Sequence, residues 1–332
     1  MIVLYKSFRI KNFRCFKDFS IDNLDRVNLI VGGNNVGKTA LLEAIYLHSG
    51  GEDVELTLGL NAIRGYETGK VPQDTWLPLF HRYDGTTAIE IESSDDGQQV
   101  RQQQWTHHLS AAATQKEPML TLKQGNQAYA IRIWNGEIEI SSQGQPAVPC
   151  RFVKSWLSHG ETSEIANYSD LEVENPEHDV HKLLQVVDSR FKRLTIVLVD
   201  GKPTLHGDIG IGRLIPLAFM GEGVRRLTSL AINAASLSKG VLLIDEIENG
   251  VYYAAMTDIW RGIAELARRF DVQIFATTHS FECITAAHEA FKKSGTYDFR
   301  LHRLERVENE IKAFTFDEEM LDAVLTAGWE VR

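Results

Sequence analysis

Several things are scarce in this sequence, and each absence narrows what the chain can be. It has only three cysteines, Cys15, Cys150 and Cys283, far apart and in no paired spacing. That excludes a disulfide framework and a cysteine-based zinc knuckle, and fits reduced thiols in a cytoplasmic protein. No apolar run reaches the length of about 18 residues that a membrane helix needs. The opening MIVLYKSFRIKNFRCF passes from a few apolar residues straight into charge. It lacks the form of a signal peptide and reads as a strand. Cationic excess is missing too: 35 Lys and Arg against 45 Asp and Glu leave a formal charge of −10. Such a chain is poorly suited to coating nucleic acid over its whole surface, although a local basic patch stays open. Internal repeats, low-complexity tracts and sustained heptads are also lacking.

What is present is an ordinary apolar supply, 43% hydrophobic residues over a length that allows one large domain or two small ones. Ile2–Ile10 and Arg26–Val31 read as strands, and Thr39–His48 as a helix. Residues 50–83 show little periodicity. From Thr86 to about Ser142 the period is two. Ala128–Trp134 and Glu137–Ser141 flank Asn135-Gly136, and Leu120–Lys123 and Gln127–Ile133 flank Gly125-Asn126, so antiparallel hairpins are expected. Val180, Leu183, Leu184, Val187, Phe191 and Leu194 fall on one helical stripe. Leu194–Val199 and Pro203–His206 flank the turn Asp200-Gly201. Val224, Leu227, Leu230, Ala231 and Ala234 form another helical stripe, and Met256–Phe270 a long amphipathic helix. Gly240–Asp245 and Val272–Thr278 are continuous apolar strands, which implies a parallel sheet covered on both faces. The expected architecture is α/β: a P-loop NTPase with a parallel central sheet, an antiparallel β subdomain and a helical insertion. Approximate lobes run over 1–85, 86–150, 151–195 and 196–332.

Gly32-Gly33-Asn34-Asn35-Val36-Gly37-Lys38-Thr39 fits G-x-x-x-x-G-K-[ST], and it stands between a strand and a helix as that motif requires. The glycines let backbone N–H groups wrap a phosphate, and the helix beginning with Thr39 and Ala40 adds its positive end. Lys38, expected to be an exposed loop residue, supplies charge for the β and γ phosphates, and the Thr39 hydroxyl a ligand for Mg²⁺. The strand Gly240–Asp245 ends in two carboxylates: Asp245 suits Mg²⁺, and Glu246 can take a proton from attacking water. His279, after Thr277-Thr278 at the end of another strand, could read the γ-phosphate; taken alone, a structural histidine is the commoner reading. ATP and Mg²⁺ are therefore the expected ligands.

Together with Lys11–Phe16 (KNFRCF), Gly221–Leu227 (GEGVRRL), Asp245–Gly250 (DEIENG), Thr277–Ser280 and the terminal Glu330-Val331-Arg332, these motifs resemble the ABC-type ATPase heads of the structural-maintenance-of-chromosomes and RecF-like proteins. The likeness is nearest to the ATPase part of the overcoming-lysogenization-defect (OLD) family. It covers essentially the whole chain and is weakest over residues 50–210. It implies that Gly221 and Gly223 belong to a signature loop capping the γ-phosphate of a partner copy, with Gly221 standing where the family has serine. It also implies that Glu248–Val251 crosses a homodimer interface and that His279 is the switch histidine. The Mg²⁺-sensing glutamine has no clear counterpart; Gln73 is a weak candidate. Long coiled-coil arms and a C-terminal nuclease domain are not expected. An effector acting in trans, a nuclease in anti-phage defence or DNA maintenance among the options, follows by analogy.

Other groupings are better explained without a site. His178 and His181 lie three apart with no third ligand, and His107-His108 sits in a polar strand. Arg225-Arg226 is better read as packing than as a DNA contact. Ser280 with His279 lacks a nucleophile elbow. Rival functions are a DNA-binding repair clamp, disfavoured by the charge; a non-catalytic ATP-gated scaffold, disfavoured by Asp245-Glu246; and a transporter ATPase, disfavoured by the antiparallel insertion and the non-standard signature.

Overall fold

Apolar residues alternating with polar ones build the first hairpin, β1 (Tyr5–Phe13) against β2 (Phe16–Ile21). Its inward residues Phe8, Ile10, Phe13, Phe16 and Phe19 are buried. The computed structural model describes residues 5–64, 75–109, 118–134, 137–141, 146–153, 162–174, 180–237 and 239–331. Gln73, the turn Asn135-Gly136 and His178 lie outside them. The fully apolar β3 (Val27–Val31) follows, then α1 (Lys38–Ser49) and α2 (Leu56–Ile63). Next come β4 (Ile89–Asp95), β5 (Val100–Leu109), β6 (Pro118–Gln124), β7 (Gln127–Trp134), β8 (Glu137–Ile140) and β9 (Cys150–Val153). Helices α3 (Thr162–Glu174) and α4 (Val180–Leu184) precede β10 (Arg193–Val199), β11 (Lys202–Asp208) and β12 (Ile215–Pro216). The remainder runs α5 (Glu222–Leu237), β13 (Val241–Ile244), α6 (Met256–Arg269), β14 (Gln273–Thr277), α7 (Phe281–Lys293), β15 (Phe299–Val307), β16 (Glu310–Phe316) and α8 (Glu318–Thr326).

Two large sheets result. One is antiparallel, in the order β2-β1-β4-β5-β6-β7-β8. The other has the order β16-β15-β3-β14-β13-β9, parallel throughout except for β16. A small sheet, β10-β11-β12, stands apart, with Asp200 and Gly201 both at positive φ in the β10–β11 turn, as the Asp-Gly pair predicts.

The parallel sheet divides its side chains between two cores. Ile30, Val241, Leu243 and Phe275 face α1 and the antiparallel sheet. Leu29, Leu242, Ile244, Ile274 and Ala276 face the opposite layer of helices, which includes α5, α6 and α7. This is why the strands read as unbroken apolar runs. It is also why α1 is apolar around its circumference: Leu41, Leu42, Ala44, Ile45 and Leu47 are all buried between two sheets. Buried Gln273 pins the sheets together, accepting from Tyr5 N (3.0 Å) and donating to Tyr5 O (2.9 Å).

Two expectations fail. The stripe Val180–Leu194 is not one helix: α4 ends at Leu184, and by Arg193 the chain is already strand β10. Asp188 accepts Arg190 N–H (3.0 Å) and turns the chain, yet Phe191 and Leu194 still reach the core. Helical spacing is satisfied there by a turn and a strand. Within residues 50–83, read as aperiodic, α2 and two turns of 3-10 helix are present.

Candidate nucleotide site

β3, β14 and β13 are neighbours, and all three end at the same edge of the sheet. Each delivers one motif: β3 the phosphate loop, β13 Asp245 and Glu246, β14 Thr277 to Ser280. Carboxyl ends of parallel strands are where α/β proteins bind ligands.

The loop needs its glycines. Gly32 has φ +139°, and a Cβ there would lie 2.3 Å from Leu304 O. Gly37, φ +93°, caps the N-terminus of α1, and a Cβ would meet Cys15 Sγ at 2.6 Å. Asn35 also takes positive φ, and Val36 and Ala40 are buried beneath the loop. The first turn of α1 carries no acidic residue of its own, so no charge within the helix offsets its positive end. Lys38 is not the exposed loop residue expected from sequence. Its side chain folds back under the loop, leaving the residue 7% exposed, and donates to Gly32 O (2.7 Å) and Gly33 O (2.8 Å). His279 Nδ1 lies 3.4 Å from Lys38 Nζ. Burial lowers the lysine's pKa, opposed by Asp245, Glu246 and Glu248.

Across from the loop, Thr39 Oγ1 donates to Asp245 Oδ2 (3.2 Å) and Thr277 Oγ1 to Asp245 Oδ1 (2.6 Å). Thr277 Oγ1 in turn accepts Glu246 N–H (2.8 Å). Burial raises the Asp245 carboxyl above its ordinary range, against the two hydroxyl donors. Glu246 stands at φ +48°, an uncommon placement for a non-glycine residue, and Asn249 Nδ2 donates to its carboxylate at 2.6 Å. Glu248 accepts His279 N–H at 2.7 Å. Thr277, Asn249 and Glu248 thus hold the candidate residues in place, and motif reading gave Thr277 and Asn249 no such part.

A cavity of about 500 Å³ lies over Asn34–Ala40 and His279 and extends to Arg14, Cys15, Arg64, Pro78, Phe80, Arg82, Tyr83 and Arg306. Sequence reading missed most of this wall. Arg14 and Arg64 are held by Glu43 of α1, which is fully buried, with Nε–O distances of 3.0 and 2.6 Å. Arg306 reaches Asn35 O from β15 (3.3 Å). Gly221 and Gly223 do not line the cavity. Gly221 is exposed, and a Cβ there would meet nothing within 4 Å. A Cβ on Gly223 would instead face Val187 (3.5 Å) and Ile259 (3.8 Å) of the same chain. Arg226 is buried, as the packing reading expects, and its pKa falls to about 10. Arg225 pairs with Glu222 (2.9 Å). Among the described residues no helix is long and apolar enough to cross a membrane.

Comparison with known proteins bears on the fold and the family. In fold the chain is similar to the SMC head domain from Thermotoga maritima: TM-score 0.51, 13% identity, 94% of this chain and 99% of that one. It is likewise similar to a Pyrococcus furiosus Smc head with an extended coiled coil bound to the C-terminal domain of ScpA: TM-score 0.52, 11% identity, 97% and 98% covered. A Helicobacter pylori protein described as an "ATP/GTP phosphatase" is 23% identical over 335 residues, 87% of this chain and 89% of that protein. Residues 27–283 match a family described as "AAA domain, putative AbiEii toxin, Type IV TA system". The chain belongs to that AAA-domain family, as a P-loop ATPase whose fold is similar to that of SMC heads.

Proposed function

We propose that the chain is a single ATPase head that hydrolyses ATP with Mg²⁺, dimerises around two ATP molecules and thereby switches a protein effector in the cytoplasm. The observation that carries the catalytic part is the hydrogen-bonded relay Thr39–Asp245–Thr277–Glu246, which ties the phosphate loop to the candidate base. The donor set fits a hard divalent cation: a half-buried carboxylate beside a hydroxyl, both oxygen ligands. No group of three His, Cys, Asp or Glu side chains converges among the described residues, so a cation here would share ligands with phosphate and water. Bound Mg²⁺ would neutralise charge developing on the phosphates. In this reading Gly32–Thr39 and Lys38 cradle the triphosphate, His279 contacts its γ end, and Glu246 orients water in line with the γ-phosphorus. The name of the H. pylori relative supports nucleotide hydrolysis.

The dimer reading is supported by what surrounds Gly221. Phe219 is 82% exposed, and Tyr252 and Tyr253 are exposed beyond Gly250. A Cβ on Gly250 would touch Glu222 at 3.0 Å, so the two loops form one surface. In this reading, backbone amides at the start of α5 meet a phosphate held by a second copy. The effector belongs to the same reading; a nuclease is the option that the motifs' resemblance to OLD proteins suggests. Phosphate release by the purified chain tests the core: it should require Mg²⁺ and vanish with EDTA. Turnover undiminished in Glu246→Gln would remove the base assignment.

A further inference from the structure

Past the phosphate loop the cavity runs to a segment that no motif includes. His81–Tyr83 form a short 3-10 turn in which two consecutive residues are left-handed, Arg82 at φ +56° and Tyr83 at φ +61°. Side chains other than glycine, asparagine and aspartate take this conformation only when the surroundings impose it. They do so here. Phe80 is buried and bridges Phe13, Arg14 N–H donates to Leu79 O (2.7 Å), and His81 Nδ1 lies 3.0 Å from Arg14 O. Tyr83 N–H closes on Phe80 O at 3.0 Å. The strained pair nevertheless stays at the surface: Tyr83 is 68% exposed, and Arg82 is exposed with no ion pair among the described residues. Both line the cavity that holds Lys38 and Thr39.

We infer that Arg82 and Tyr83 are the base-side wall of the nucleotide site, taking the purine of a nucleoside triphosphate by stacking on its face. The inference rests on the triphosphate lying along Gly32–Thr39. Of the lining outside the phosphate loop, Arg14, Pro78, Arg82, Tyr83 and Arg306 are then left to meet the base and ribose. An aromatic ring and a guanidinium plane both suit a π-face. Stacking does not read the base edge, so adenine and guanine should be accepted alike.

Calorimetry on the full chain in a Glu246→Gln background tests this, with ATP, GTP and inorganic tripolyphosphate as ligands. Tyr83→Ala should weaken ATP and GTP by about tenfold each and leave tripolyphosphate unchanged. Tyr83→Gly should lose the same affinity while raising the melting temperature by about 2 °C, because glycine relieves the backbone. The glycine variant keeps the test valid if the alanine variant folds poorly. Unchanged ATP affinity in both variants overturns the inference, as does an equal loss for tripolyphosphate, which would mean that the segment merely props the loop. Lys38→Ala serves as the control: it should weaken all three ligands, and if it weakens none, the phosphate-loop reading itself fails, and the base subsite with it.

Discussion

Two helices in this chain begin at glycine-containing turns, and their surroundings differ sharply. The N-terminus of α1 is enclosed by its own chain: Lys38, Thr39, Asp245, Thr277 and His279 are joined by contacts of 2.6–3.4 Å. The N-terminus of α5 is open. Gly221 has nothing beside it, and the first residue of the helix, Glu222, is paired with Arg225. An anion at α1 would be bound by one chain alone. At α5 the structure offers backbone amides and little else, so an anion there needs a second contributor. On the proposed function, the first site serves chemistry and the second assembly.

The sharpest test of that division is Glu246→Gln. It should lower kcat by about 10²-fold or more while ATP still binds, because the amide keeps the shape and cannot take the proton. Single-turnover phosphate release would show it. Next is Lys38→Ala, which should weaken ATP by about tenfold or more through loss of a charged donor. The buried position of Lys38 adds a consequence: Gly32 O and Gly33 O lose their donor. A modest fall in melting temperature should therefore accompany the affinity loss, and scanning calorimetry would detect it. At the other helix, Gly221→Asp should leave ATP affinity of the isolated chain within about twofold, yet abolish ATP-linked dimerisation in the Glu246→Gln background. Gly221 is the better probe because a side chain at Gly223 would lie against Val187 and Ile259 and confuse packing with assembly. Light scattering that shows the dimer intact would break the comparison.

The closed site was far more legible in the sequence than its surroundings. The phosphate loop is a local motif with rigid backbone demands, and β3, β13 and β14 are apolar throughout because both faces are covered. Asp200-Gly201 states its turn type outright. The wall of the cavity is different in kind. Arg82 and Tyr83 reach it because Phe80 is held against Phe13, a pairing 67 residues apart that no local pattern encodes. β15 lies beside β3 in the sheet, yet its run FRLHRLERV reads as charged. His302 is tolerated at a core position because its ring nitrogens pair with Asn28 Oδ1 (3.2 Å) and Thr315 Oγ1 (3.0 Å), and burial drives its pKa down to about 3. β9 has only four residues, too few for a period to show. Thr277 was read as part of a histidine motif, and its role appears only once β13 and β14 are paired.

The smallest expected effect concerns the cost of preparing the closed site. Asp245 is ionised for function yet sits in a partly buried position that raises its carboxyl above the ordinary 3.8. Below that ordinary value the carboxyl is protonated in both folded and unfolded chains, and it carries no penalty. As pH rises through the raised folded value, the folded chain must ionise a poorly solvated group while the unfolded chain has already done so. The share of stability associated with the neutral form is lost in that window and stays lost above it. Asp245→Asn cannot ionise, and its Oδ1 can still accept from Thr277 and Thr39. Without nucleotide and in EDTA, the variant should melt about 2 °C above the parent at pH 8, the scale of a 1 kcal/mol effect in a large domain. The gap should close as pH falls toward 4, while Mg²⁺-dependent turnover of the variant is lost. At α5 no such trade is expected, since Gly221 carries no titrating group; Gly221→Ala should shift the melting temperature equally at both pH values. A variant of Asp245 that is less stable than the parent at every pH would mean that the carboxylate is a structural anchor, and the closed site would then be no more strained than the open one.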